Sequence, residues 1–91
     1  MLKTGSFQVN NRLGIHARVA AKLVYTANRF KSKVILEYNG QEVNGKSILG
    51  ILTLSCPKGS YITVRADGSD AEDVLLAFAA LFDEKFGEEW R

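Results

Sequence analysis

Ninety-one residues with 46% hydrophobic and 24% charged side chains suit one domain with its own core, and are too few to enclose a deep cavity between separate cofactor and substrate lobes. This composition excludes a disordered chain and a membrane-embedded one, and no apolar run approaches a membrane span. A net charge of +2 is too small to indicate nucleic acid by itself. The charge is segregated, however. Residues 1–33 contain Lys3, Arg12, Arg18, Lys22, Arg29, Lys31 and Lys33 and no acid, whereas residues 67–91 hold eight of the ten acids. One side of the molecule is expected to be positive and to attract phosphate, nucleic acid or an acidic protein. The start, Met1-Leu2-Lys3, lacks the apolar run and cleavage site of a secretory signal, and the single cysteine, Cys56, has no partner for an internal disulfide. Both features point to a reducing, cytoplasmic setting, with Cys56 as a small buried hydrophobe.

Gly5, Phe7 and Val9 alternate with Ser6, Gln8 and Asn10, as a half-buried first strand does. Asn10 to Gly14 reads as loop. From Ala17 to Phe30, the residues Ala20, Leu23, Val24, Ala27 and Phe30 recur at helical spacing, with Lys22, Thr26 and Arg29 opposite them. Val34 to Tyr38 is strand-like, Asn39-Gly40 supplies the positive-φ pair of a tight hairpin turn, and Gln41 to Asn44 returns antiparallel. Ser47 can cap a short helix ending near Leu54, with Pro57 and Gly59 marking the exit. Tyr61 to Arg65 forms a fourth strand. Ser69 and Glu72 have capping-box spacing ahead of Val74, Leu75, Phe78, Leu81 and Phe82, a stripe ended by Gly87. With no repeat or linker, residues 1–91 read as a single domain. The order of elements predicts an α+β open-faced sandwich: a four-stranded antiparallel sheet with three helices on one face.

The only histidine, His16, falls where the loop Arg12-Leu13-Gly14-Ile15 enters the first helix. The first N–H groups of a helix lack internal partners and carry partial positive charge, so an anion is stabilised there and the neutral, nucleophilic imidazole is favoured. Arg18 can offer a fork of donors to phosphate oxygens, and the small Ala17 leaves the approach open. A lone histidine at a helix start reads equally as a solvated or capping residue. The surrounding string is more specific. Gly14-Ile15-His16-Ala17-Arg18-Val19-Ala20 resembles the active-site segment of the HPr phosphocarrier family, and Leu36-Glu37-Tyr38-Asn39-Gly40, Val43-Asn44, Lys46-Ser47-Ile48-Leu49-Gly50 and Pro57-Lys58-Gly59 continue the resemblance over nearly the whole chain.

The resemblance implies a carrier of the bacterial phosphoenolpyruvate-dependent sugar phosphotransferase system, itself no enzyme and without a cofactor. It implies phosphorylation of His16 on Nδ1 by Enzyme I, assistance from Arg18 and from the N–H groups of Ala17 and Arg18, and transfer onward to enzyme IIA domains. In a subset of the family the serine matching Ser47 is phosphorylated by HPr kinase/phosphorylase. Val19 departs from the family's usual proline: it frees the backbone and adds a donor, which implies an altered transfer rate.

The short helix carries more apolar surface than one core stripe needs. Ile51 and Leu54 fall on one side, so Ile48, Leu49 and Leu52 are expected to face outward as a protein-docking patch beside His16, with Arg18, Lys22 and Lys46 steering acidic partners. A carrier that docks through one face is expected to be a monomer. Two other classes compete. Gly40 to Ser47 satisfies the phosphate-binding loop pattern of nucleotide hydrolases, although a hairpin at Asn39-Gly40 would consume its backbone donors. A small RNA-binding module fits the layout but lacks the aromatic-rich strand motif, and one histidine with one distant cysteine offers no metal-ligand spacing. Neither nucleic-acid binding nor membrane insertion is expected.

Overall fold

A computed structural model describes residues 1–88. Its elements, in chain order, are β1 (Leu2–Gln8), α1 (Ala17–Ala27), β2 (Lys33–Tyr38), β3 (Gln41–Asn44), α2 (Ile48–Leu52), β4 (Tyr61–Asp67) and α3 (Ala71–Asp83), followed by a 3₁₀ turn at Lys85–Gly87. The strands form one antiparallel sheet in the order β1-β4-β2-β3, with the helices on one face. The expected open-faced sandwich is therefore the observed architecture.

Period-two alternation decides which face is covered. In β4, Ile62, Val64 and Ala66 are buried while Tyr61, Thr63 and Arg65 point to the open side, and β2 turns Val34 and Leu36 inward. Against this face pack Val19, Ala20, Leu23 and Ala27 of α1 and Ala71, Val74, Phe78 and Phe82 of α3, each large side chain contributing roughly 1.5–3 kcal/mol on burial. On the open face the register sets Glu37 directly opposite Glu42, a like-charge pair. The Arg65 guanidinium relieves it, reaching Glu37 at 3.1 Å and Glu42 at 2.8 Å. The hydrogen bond to Glu42 is the main reason that the guanidinium's pKa is raised further. Of the strand aromatics, Phe7 and Tyr38 pack on the core, which leaves Tyr61 on the open side and no stacking platform for bases among the described residues.

Local signals that concern one turn are met closely. Asn39 and Gly40 take φ of 56° and 84° and join β2 to β3. The Ser47 hydroxyl accepts from Gly50 N–H at 3.0 Å and caps α2. That cap contributes about 1 kcal/mol to a five-residue helix whose buried anchor is Ile51, so it is a sizeable share of what holds α2 in place.

Several expectations are corrected. β1 ends at Gln8, and Val9 instead bonds Ser60 and Gly59 as the chain leaves the sheet. α1 stops at Ala27, not Phe30, because Arg29 and Phe30 tighten to bonds three residues back, and Thr26 is buried with the core stripe. α2 closes at Leu52, where the Thr53 hydroxyl donates to the Gly50 carbonyl at 2.6 Å. β4 runs on to Asp67. The Ser69–Glu72 capping box does not form. Asp70 occupies the N-cap of α3, yet its carboxylate serves the start of β2, accepting from Lys31 N–H at 2.9 Å, Ser32 N–H at 3.0 Å and the Ser32 hydroxyl. The Ser32 hydroxyl, followed by the Lys31 N–H, holds the Asp70 carboxyl below its usual value.

The chain end also departs from expectation. α3 stops at Asp83, and Lys85, Phe86 and Gly87 all adopt left-handed φ (53°, 57° and 72°). For the two residues with side chains this costs about 1–2 kcal/mol each. The turn folds Phe86 back into the core, edge-on to Phe82 at 4.9 Å, while Phe82 stacks on Phe7 at 5.2 Å. Lys22 fastens it from α1, its ammonium donating to the Phe86 carbonyl at 2.5 Å.

Candidate functional site

Gly14 sets the approach to His16. Its φ is 72°, and a Cβ there would lie 2.6 Å from the Cys56 carbonyl oxygen, so the loop docks against the Cys56–Lys58 segment only with glycine in place. Ile15 N–H then donates to that same carbonyl at 2.9 Å. Cys56 is buried as expected, and burial pushes its thiol up to about 11, away from nucleophilic chemistry.

His16 is the N-cap residue of α1, and its carbonyl accepts from Ala20 N–H at 2.8 Å. Its side chain caps nothing. Consequently the N–H groups of Ala17, Arg18 and Val19 have no acceptor among the described residues, and those of Ala17 and Arg18 belong to exposed residues directly after His16. Ala17 and Arg18 are exposed while Val19 is fully buried in the core. This end of the helix is thus a cluster of positive dipole ends with the exposed Arg18 in its first turn, an arrangement suited to an anion attached to His16.

The sequence did not announce two further residues. Asn11, fully buried, donates through Nδ2 to the Gly14 carbonyl at 2.7 Å and to Glu88 Oε1 at 2.8 Å, while its Oδ1 is buried without a partner. Glu88 places Oε2 2.7 Å from His16 Nε2, with the two side chains 13% and 32% exposed. That oxygen lies off the direction in which a ring N–H would point, so the approach is close but not a linear hydrogen bond. Gly87 signals a chain reversal in the sequence, but nothing local says that the next residue reaches the β1–α1 loop.

The second set of candidates lies elsewhere. Lys46 donates to the Phe30 carbonyl, just past the C-terminus of α1, at 3.0 Å, whereas Ile15 meets Cys56 beyond the C-terminus of α2. The two helices therefore run in opposite directions, and Ser47 sits at the far end of α1 from His16, about 16 Å away for an 11-residue helix. Ile48 and Leu49 are exposed and Ile51 and Leu54 are buried, but Leu52, expected to face outward, is half-buried and packs against the core. The patch accordingly begins at the Ser47 end and extends towards His16, in place of lying wholly beside it. Lys22 and Lys46 are half-buried and tied to carbonyl oxygens.

Gly40 to Ser47 forms no phosphate cradle. Gln41 to Asn44 pair with β2, Gly45 N–H donates to the Val34 carbonyl at 2.8 Å, Lys46 N–H to the Asn44 side chain at 2.8 Å, and Ser47 N–H to the Asn44 carbonyl at 3.1 Å. The donors of Gly45, Lys46 and Ser47 are used at the hairpin's exit, and Gln41 to Asn44 lie extended along β2 and so cannot wrap a phosphate. Among the described residues, no cluster of potential ligands could hold a metal ion, and no helix is long and apolar enough to cross a membrane.

Comparison with known proteins agrees with this geometry. Residues 3–84 match the family model described as the PTS HPr component phosphorylation site. A phosphocarrier protein HPr from Xylella fastidiosa is 44% identical over 81 residues, covering 89% of this chain and 91% of that protein. The crystal structure of an HPr from Thermoanaerobacter tengcongensis superposes with a TM-score of 0.91 at 39% identity, covering 96% of this chain and 98% of the other. A dimeric HPr from the same organism matches with a TM-score of 0.76 at 40% identity, over 89% of this chain and 93% of that one, which counts against taking the expected monomer as a rule for relatives. The chain belongs to the HPr family of phosphocarrier proteins of the bacterial phosphotransferase system.

Proposed function

We propose that this protein accepts a phosphoryl group from phosphorylated Enzyme I on Nδ1 of His16 and donates it to enzyme IIA domains, acting in the cytoplasm as a carrier and not as an enzyme. The observation that carries this reading is the uncapped start of α1, where the N–H groups of Ala17, Arg18 and Val19 stand open at the one histidine of the chain. Phosphoryl oxygens on the ring would take those donors, and the exposed Arg18 guanidinium would neutralise the remaining charge. Val19 contributes a third donor where proline would contribute none, which favours the phosphorylated form and slows its discharge.

Partners dock on Ile48, Leu49 and Leu52, with the charges of Arg18, Lys22 and Lys46 steering acidic surfaces. Residues 1–91 act as one domain, and the carrying species is a monomer, since one apolar face must serve successive partners. Ser47 is a site for HPr kinase/phosphorylase: a phosphate there meets the N–H groups of α2 and adds charge to the docking patch without touching His16.

Incubation with phosphoenolpyruvate and Enzyme I followed by intact mass measurement tests the reading. An added, acid-labile phosphoryl mass that is absent from a folded His16→Ala variant is expected. Equal labelling of that variant would remove His16 from the mechanism.

A further inference from the structure

Glu88 lies beyond residues 3–84, which the family model matches, yet its carboxylate is brought to the imidazole by a turn of three successive left-handed residues and by the buried ring of Phe86. A left-handed Lys-Phe pair persists only where surrounding contacts over-determine it. Here those contacts are the Phe82–Phe86 packing and the Lys22 ammonium on the Phe86 carbonyl.

We infer that Glu88 is a positioning residue that keeps the ring proton of neutral His16 on Nε2, so that the Nδ1 lone pair is free to receive the phosphoryl group. This inference rests on the carrier reading of His16 for its consequence, but not for its geometry.

The Glu88 carboxylate oxygen lies 2.7 Å from Nε2, off the N–H direction, and its negative charge there disfavours a lone pair on Nε2 and favours a proton on that nitrogen. Asn11 then fixes the other half of the carboxylate. Both hydrogens of its amide are committed, one to the Gly14 carbonyl and one to Glu88 Oε1, so Oε1 must remain an acceptor. Fixing one ring nitrogen by a carboxylate is the means by which a histidine's tautomer is generally set. When Nδ1 attacks the phosphorus, a nitrogen–phosphorus bond forms. The bond from phosphorus to the donor atom breaks, and the donor atom keeps its electron pair. The Nε2 proton stays in place, and the positive charge spread over the phosphorylated ring faces Glu88.

The Glu88→Gln variant makes the inference decidable. Its amide oxygen must face the Asn11 donor, so its NH₂ faces Nε2 and demands a lone pair there, driving the ring proton to Nδ1. Nitrogen-15 spectra of the labelled imidazole in alkaline buffer separate the two tautomers. The wild-type protein is expected to be protonated on Nε2 and Glu88→Gln mainly on Nδ1, with Glu88→Ala between them. Amide spectra confirm that each variant is folded. In the Enzyme I reaction, Glu88→Gln is expected to lower the maximal rate of His16 labelling about ten- to a hundredfold with the half-saturating Enzyme I concentration little changed. A wild-type ring protonated on Nδ1, or the same tautomer in wild type and Glu88→Gln, overturns the inference. Failure of the wild-type protein to accept phosphoryl overturns the carrier reading instead, because the spectra still decide what Glu88 does.

Discussion

At the start of α2 the Ser47 hydroxyl accepts from Gly50 N–H and closes the helix, whereas at the start of α1 the His16 side chain leaves the N–H groups of Ala17, Arg18 and Val19 open. Both residues are N-caps with extended backbone. The difference lies in what the side chain does with the dipole end. Ser47 spends it on stability, about 1 kcal/mol for a short helix. His16 forgoes that gain, and α1 can afford it because Val19, Ala20, Leu23 and Ala27 are buried along its length, whereas α2 has Ile51. An uncapped helix start on a well-anchored helix is thus free for chemistry, and a capped one on a poorly anchored helix is not.

Exchanging the caps breaks the comparison most severely. His16→Ser is expected to abolish phosphoenolpyruvate-dependent labelling completely while raising stability by about 0.5–1 kcal/mol, read as a higher urea midpoint. A variant that lost labelling and also lost stability would show that His16 had been holding the fold. The next largest effect is expected at the other helix. Ser47→Asp should slow His16 labelling about tenfold at limiting Enzyme I, equivalent to about 1.4 kcal/mol, and should recover at saturating Enzyme I. Slowing that persisted at saturation would place the damage at the histidine, about 16 Å away along α1. Ser47→Ala removes the cap without adding charge; it should cost about 1 kcal/mol in unfolding experiments and leave labelling unchanged.

The smallest effect concerns the third helix start, where Asp70 caps neither way and instead ties α3 to Lys31 and Ser32. Its folded pKa lies below the ordinary value of 3.8, so the carboxylate's contribution is present above that value and is lost as pH falls through the lower, folded one. Melting temperatures of wild type and Asp70→Asn should therefore differ at neutral pH and converge in acid. Curves that stayed parallel into strong acid would assign the loss to the amide's shape and not to the charge.

What was legible in the sequence had short range. Asn39-Gly40 and Ser47 each act within a turn, and Gly14, His16 and Arg18 sit within five residues, so composition and spacing carry their geometry. Even Ile48 and Leu49 could be assigned to the exposed side from helical angles, since a sheet can cover only one side of α2. Asp70 and Glu88 were illegible for the opposite reason. Ser69 and Glu72 have the right spacing for a local cap, but Asp70 finds three donors on residues 31 and 32 once the sheet brings them near. Glu88 meets a histidine 72 positions earlier, which no window of sequence can anticipate.

The Cys56 carbonyl holds Ile15, and with a thiol raised to about 11 almost no thiolate is present at neutral pH, roughly one molecule in ten thousand. The side chain is 3% exposed and packed in the core, so a thiol-reactive dye can enter only when the structure around Cys56 opens locally. The rate of Cys56 labelling then counts those excursions. Compared between free and phosphorylated protein, it shows whether loading the histidine changes local opening around the segment on which its loop docks, without any probe at the reacting ring.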